Sequence, residues 1–104
     1  MKTIKAIYSL FRSRKSVQKI IDNFGADHQL YKKSKEELHE LNEALFDYEW
    51  SKTNLARSVN RQHVIEEMAD NLVMFWQIKK ILDISFYDIL KVMVHKINRT
   101  VVGS

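Results

Sequence analysis

Residues 64–76 read VIEEMADNLVMFW, and this stretch decides the fold. Apolar residues lie almost all the way round a helix of this sequence, so we expect the helix to be central. At 100° per residue, Glu67 and Asp70 fall on one narrow polar strip. Ionised carboxylates on such an apolar helix are rarely left unpaired. The stretch therefore predicts a central helix whose acidic pair faces a cation, on a strip shared with Asn60, His63 and Asn71.

The rest of the chain is also predicted to be helical. It contains no proline and only two glycines, which favours long helices and few tight turns. Apolar spacing predicts four helices, over about 3–23, 27–48, 60–82 and 85–100, with a break near residues 12–16 of the first. Gly25 marks a turn, residues 50–58 lack periodicity and are expected to form a loop, and Ser85 with Asp88 has capping-box spacing. We expect an all-α fold, an antiparallel four-helix bundle-like single domain over residues 1–104.

Composition excludes several classes of protein. The chain has no cysteine, so disulfides, zinc–thiolate sites and thiol catalysis are excluded. No cleavable signal is evident and the apolar runs are too short to span a bilayer, so we expect a cytoplasmic protein without a membrane partner. The net charge is +4, and nine Lys or Arg lie among residues 1–35 against two Asp. No helix-turn-helix, aromatic RNA motif or dense arginine stripe accompanies them, so nucleic-acid binding is not the favoured interpretation.

A second acidic pair lies in Glu36-Glu37-Leu38-His39-Glu40. Glu37 and Glu40 are one turn apart, at the border of the apolar stripe of the second helix. If the second and third helices pack antiparallel, the two pairs face one another across a groove. Four converging carboxylates repel unless cations neutralise them. Hard oxygen ligands favour Mg²⁺, with Mn²⁺ as a possible substitute.

The two motifs together resemble those of the MazG-like, all-α nucleoside triphosphate pyrophosphohydrolases. The resemblance is carried by Glu-Glu-x-x-Glu at 36–40, followed after 26 intervening residues by Glu-x-x-Asp at 67–70, and by the flanking sequences 24–30 and 64–70. It covers about residues 22–100 and is closest to the compact forms of phages and bacteria. It implies that the protein acts in a bacterial or phage-infected host cell and that it forms a homodimer or homotetramer.

The resemblance also implies a reaction and a set of site residues. These enzymes cleave a nucleoside triphosphate, ribo or deoxy, between the α and β phosphates, releasing the monophosphate and pyrophosphate. The matching positions of the family's motifs imply that Mg²⁺ would be bound by Glu37, Glu40, Glu67 and Asp70. They also imply that Glu36 or Glu37 would orient or deprotonate the attacking water. Lys96 and Arg99 match downstream basic positions that contact phosphates, although favourable charge at a helix C-terminus explains them equally well. Weaker candidates for contacting the nucleotide are Gln29, Lys33, His63, Asn71 and Asn98. Phe24, Trp50 and Trp76 could stack on a base, although Trp76 is better explained as a core residue.

Two other classes stay open on sequence grounds. Glu36-x-x-His39 has the spacing used in di-iron and di-manganese helical bundles, but no second Glu-x-x-His is present. A non-catalytic helical module could instead bind nucleic acid through the basic N-terminal region.

Overall fold

The computed structural model describes the backbone of residues 1–103 and the side chains of residues 1–101. This part of the chain is helical, without a strand, as the sequence predicts. None of its helices is long and apolar enough to cross a membrane. The elements are α1 (Lys2–Arg12), α2 (Arg14–Phe24), α3 (Ala26–His28), a π-helical turn (Gln29–Lys33), α4 (Ser34–Glu49), α5 (Asn54–Ile81) and α6 (Phe86–Gly103).

The first predicted helix is divided where a break is expected. α1 ends at Arg12 and is followed by Ser13, whose hydroxyl donates to the Ser9 carbonyl over 2.9 Å. α2 ends at Phe24 and is followed by Gly25, whose φ of +90° is a backbone conformation that residues other than glycine rarely adopt. The predicted break and the predicted turn are both confirmed.

The second predicted helix contains an irregularity that its periodicity does not reveal. α3 continues directly into the π-helical turn Gln29–Lys33, which continues into α4. A π-helical turn changes the angular position of the residues around it and often lies at a functional site. Here it contains Gln29 and Lys33, two of the predicted site residues.

The predicted loop over 50–58 is wrong for its second half. α5 begins at Asn54, because Thr53 is extended and its hydroxyl accepts a hydrogen bond from the Ala56 amide over 3.0 Å. Such an N-cap can start a helix before any apolar period is visible. The predicted cap at Ser85 is confirmed, since its hydroxyl accepts from the Asp88 amide over 3.1 Å.

The helices α4 and α5 form an antiparallel hairpin, with α2 packed against α5. Asn71 donates to the carbonyl of Glu37, and Asn60 donates to the carbonyl of Asp47. Position numbers rise along one helix as they fall along the other, which is the antiparallel arrangement. This hairpin brings the two acidic motifs to the same level.

Burial within the single chain differs from the expectation for α5. Its buried residues are Glu67, Asn71, Met74 and Gln77, which fall on one strip, while Leu72 is 64% exposed. α1 buries no residue, and α6 is exposed from residue 90 to residue 101. Across the described residues, the buried hydrophobic side chains are Val17, Ile21, Ala44 and Met74. A closed four-helix bundle therefore stays a prediction, since α1 and α6 leave their apolar faces open.

Candidate metal centre

The four predicted metal ligands converge between α4 and α5. One carboxylate oxygen from each of Glu37, Glu40, Glu67 and Asp70 lies within 4.8 Å of the others. Each pair occupies one face of its helix because its members are three residues apart. The antiparallel hairpin then places the α4 pair opposite the α5 pair.

Asn71 joins the two motifs through the backbone. Its Nδ2 donates to the Glu37 carbonyl over 2.9 Å and to the Glu67 carbonyl over 2.8 Å. The side chain is 3% exposed, so both hydrogen bonds are shielded from water. The Asn71 side-chain amide, which lies on the polar strip, thus fixes the distance between the backbones of Glu37 and Glu67.

The buried glutamates are each only half paired. Glu37 Oε1 lies 3.0 Å from Lys33 Nζ, and Glu67 Oε1 lies 3.2 Å from His63 Nε2. The Oε2 atoms of both glutamates are buried and have no hydrogen-bond partner among the described residues. A buried carboxylate oxygen without a partner is costly. Unpartnered oxygens on two of four converging carboxylates fit a hard divalent cation such as Mg²⁺.

The charges in the cluster raise the pKa of one of its members, Glu40, and of the neighbouring Lys33. The pKa of Glu40 is raised, chiefly by the nearby charge of Glu37, with Glu67 and Asp70 adding to the effect. The pKa of Lys33 is raised by its hydrogen bond to Glu37, so this ammonium stays charged. One lysine does not neutralise four carboxylates, and the raised pKa of Glu40 reports the remaining repulsion.

A cavity of about 460 Å³ opens beside the cluster. Glu37 and Asp70 line it, together with Lys33 and Glu36. Its volume is in the range of small-molecule sites. The candidate centre therefore borders a space in which a ligand of moderate size fits.

Other predicted site residues are divided between the cavity and more distant positions. Gln29 lines the cavity, and Glu36 is on its rim, with its Oε2 3.8 Å from Lys33 Nζ. Lys96, Asn98 and Arg99 are exposed on α6, which barely contacts the other helices. The structure does not bring these three to the acids within one chain.

His39 lies outside the acidic cluster. Its Nε2 is 2.9 Å from Glu43 Oε1, and both side chains are largely exposed. His39 and Glu43 are four residues apart on one face of α4, so their contact is local. The Glu36-x-x-His39 spacing therefore does not contribute a histidine ligand to this cluster.

Two polar residues of the cavity were not among the predicted site residues. Gln77 accepts a hydrogen bond through Oε1 from Gln29 Nε2 over 2.7 Å, and His28 Nδ1 lies 2.9 Å from Gln29 Oε1. Gln77 could have been found, because it continues the helical strip of Glu67 and Asn71 at intervals of three and four residues. His28 depends on the π-helical turn, which no sequence signal indicates.

Comparison with known proteins adds no relative. No family model matches the chain, and neither a curated protein nor a solved structure is significantly similar to it.

Magnesium should stabilise the folded protein at pH 8 and lose this effect on acidification. Metal binding requires ionised carboxylates, and at 100 times its Kd a ligand adds about 2.7 kcal/mol to the free energy of unfolding. Since the pKa of Glu40 is raised, protons compete with metal at a higher pH than at an ordinary glutamate. Thermal melts with and without MgCl₂ from pH 8 to pH 4 measure this.

The metal-free protein should show the opposite trend in the contribution of Glu40. A carboxyl whose pKa is raised by folding favours the folded state at low pH, and this contribution is lost as pH rises through the folded-state pKa. Glu40→Gln should remove this contribution, and Glu43→Gln, outside the cluster, serves as the matched control. A magnesium effect that is the same at pH 4 and pH 8 would contradict binding at these carboxylates.

Proposed function

We propose that the protein is a Mg²⁺-dependent nucleoside triphosphate pyrophosphohydrolase, which converts a ribo- or deoxynucleoside triphosphate to its monophosphate and pyrophosphate. The observation that carries the proposal is the four-carboxylate cluster with two unpartnered buried oxygens, opening onto a cavity. The resemblance of the two motifs to the MazG-like enzymes supplies the reaction.

The chemistry of phosphate transfer suits this site. Glu37, Glu40, Glu67 and Asp70 would hold Mg²⁺, which when bound neutralises phosphate charge and lowers the pKa of bound water. Lys33 stays charged beside Glu37 and lines the cavity, so it can contact a phosphate oxygen. Glu36 lies on the rim with half of its side chain exposed, where a carboxylate can orient or accept a proton from an attacking water.

Assembly into a dimer or tetramer is part of the proposal. The chain exposes 8762 Å², whereas a compact monomer of 12.4 kDa exposes about 6,100 Å². Its radius of gyration is 16.5 Å, against about 13 Å for a compact chain of this length. The excess surface, rich in apolar side chains, is as large as one side of an obligate interface. Lys96 and Arg99 could then reach a phosphate if the assembly brings α6 over the cluster.

A nucleotide panel tests the proposed reaction. Ribo- and deoxynucleoside triphosphates are incubated with the protein and MgCl₂ or MnCl₂, and the products are separated by ion-exchange chromatography. We expect at least one nucleotide to give monophosphate and pyrophosphate in equal amounts, with no diphosphate. Asp70→Ala should remove the activity, while Asp88→Ala, an exposed helix-start acid on α6, should retain it.

The outcome also separates the other functional classes. Release of nothing from the full panel with either metal would overturn the proposed reaction. Salt-sensitive binding of nucleic acid that survives Asp70→Ala would then favour a non-catalytic module. An oxo-bridge absorption band after loading with iron would favour the di-metal bundle.

A further inference from the structure

The cavity beside the cluster has two chemically different regions on α5. Asp70 belongs to the acidic cluster, and Gln77 is seven residues further along the helix, or about 10 Å along its axis. Val73 and Met74 lie between them and give an apolar wall. A ligand that reaches from the acids to Gln77 therefore needs a charged end, an apolar middle and a polar far edge.

The far region presents hydrogen-bond donors. His28 Nδ1, Gln29 Oε1, Gln29 Nε2 and Gln77 Oε1 form a chain of two hydrogen bonds, 2.9 Å and 2.7 Å long. Gln77 Oε1 is used by this chain, so its Nε2 remains, and that atom has no partner among the described residues. Gln77 is 5% exposed and lines the cavity. Its N–H groups are available to an acceptor on a ligand there.

An aromatic pair borders the same space. The rings of Phe24 and His28 are stacked, with centroids 6.2 Å apart and planes 24° apart, and both residues line the cavity. Aromatic and apolar walls favour a flat heterocycle. The His28 ring has two roles, because it is also the first member of the hydrogen-bond chain to Gln77.

We propose that this cavity receives the nucleobase, and that Gln77 selects bases whose distal edge carries a carbonyl oxygen. These are 4-keto pyrimidines and 6-keto purines, as opposed to the 4-amino and 6-amino bases. The inference rests on the proposed function, because phosphates held at the acids direct the sugar side of the nucleotide toward the cluster. The distal edge of the base then faces Gln77, whose Nε2 donates to an oxygen and repels an amino group.

The test compares kcat/KM for dUTP with dCTP, and for dGTP with dATP. We expect the keto member of at least one pair to be preferred by roughly tenfold, the scale of one hydrogen bond. Gln77→Met keeps a side chain of similar length but has no donor, so the preference should disappear. Gln77→Glu replaces the donor with an acceptor and should shift the preference toward the amino bases. Gln62→Met, an exposed position on the same helix, is the matched control.

Binding measurements keep the inference separate from the reaction. Calorimetric titration of dUMP, dCMP, dGMP and dAMP into the protein in MgCl₂ should show the same order of affinity, whether or not the triphosphates are hydrolysed. Circular dichroism melts establish that each variant is folded. Hydrolysis with equal kcat/KM across both pairs, or a preference for the amino bases, would overturn the role of Gln77 and leave the proposed reaction intact. Selective binding without any hydrolysis would overturn the reaction and leave the base site intact.

Discussion

Glu40→Gln should inactivate the protein and at the same time raise the melting temperature of its metal-free form. The pKa of Glu40 is raised by the charges of Glu37, Glu67 and Asp70, so its ionised form is unfavourable in the fold. Glutamine has the same shape without the charge and relieves this repulsion. It also removes one of four anionic ligands, and we expect kcat/KM in MgCl₂ to fall by about a hundredfold or more.

Two measurements on the same samples check both halves of this result. Melting temperature is recorded in EDTA and in MgCl₂, and pyrophosphate release is assayed with the preferred nucleotide. Glu43→Gln, one turn along α4, is the control, because Glu43 pairs with exposed His39 and lies outside the cluster. A less stable metal-free Glu40→Gln protein would show that the cluster is not repulsive, and full activity would remove Glu40 from the metal site.

Leu72→Glu should convert the assembled protein to monomers with reduced thermal stability. Leu72 is 64% exposed on α5, near Met68 and Phe75, which are 52% exposed each. These side chains follow helical spacing on a face centred about 120° round the helix from the buried polar strip. A charge placed in an interface of such side chains is desolvated without a partner, so association should weaken by at least about a hundredfold.

Light scattering coupled to size-exclusion chromatography measures the assembly. The unmodified chain should have a multiple of the 12.4 kDa chain mass at micromolar concentration. Val59→Glu makes the same kind of change at an exposed apolar residue about 140° round the helix from Leu72, and should leave the mass unchanged. A monomeric unmodified chain would refute assembly, and an unchanged mass for Leu72→Glu would exclude this face.

The acidic site was predictable because its geometry is local. Carboxylates three residues apart share a helix face whatever the surrounding fold, and one antiparallel pairing is enough to bring the two pairs together. His63 is a similar case, since it lies four residues before Glu67 and contacts it. The structure adds what periodicity cannot supply, namely that only one oxygen of each buried glutamate is paired.

Other features were missed for identifiable reasons. The π-helical turn leaves no periodic signal over five residues, so neither the position of His28 nor its contact with Gln29 could be expected. The start of α5 depends on one hydroxyl, that of Thr53. Apolar residues all round α5 predict burial of that helix within its own chain. The same pattern also arises when a helix has its polar strip against its own chain and apolar residues facing outward.

The hydrogen bonds of Asn71 have a consequence for ion selection. A single amide spans the backbones of Glu37 and Glu67, so the width of the site is set before any ion enters. Small ions demand short bonds and near-ideal octahedral angles, whereas larger ones accept loose and variable shells. Because the separation of the two backbones is already fixed, a small ion need not draw the helices together, and a larger ion has less freedom to rearrange its ligands. Discrimination between magnesium and calcium would then depend on the fixed separation of α4 and α5.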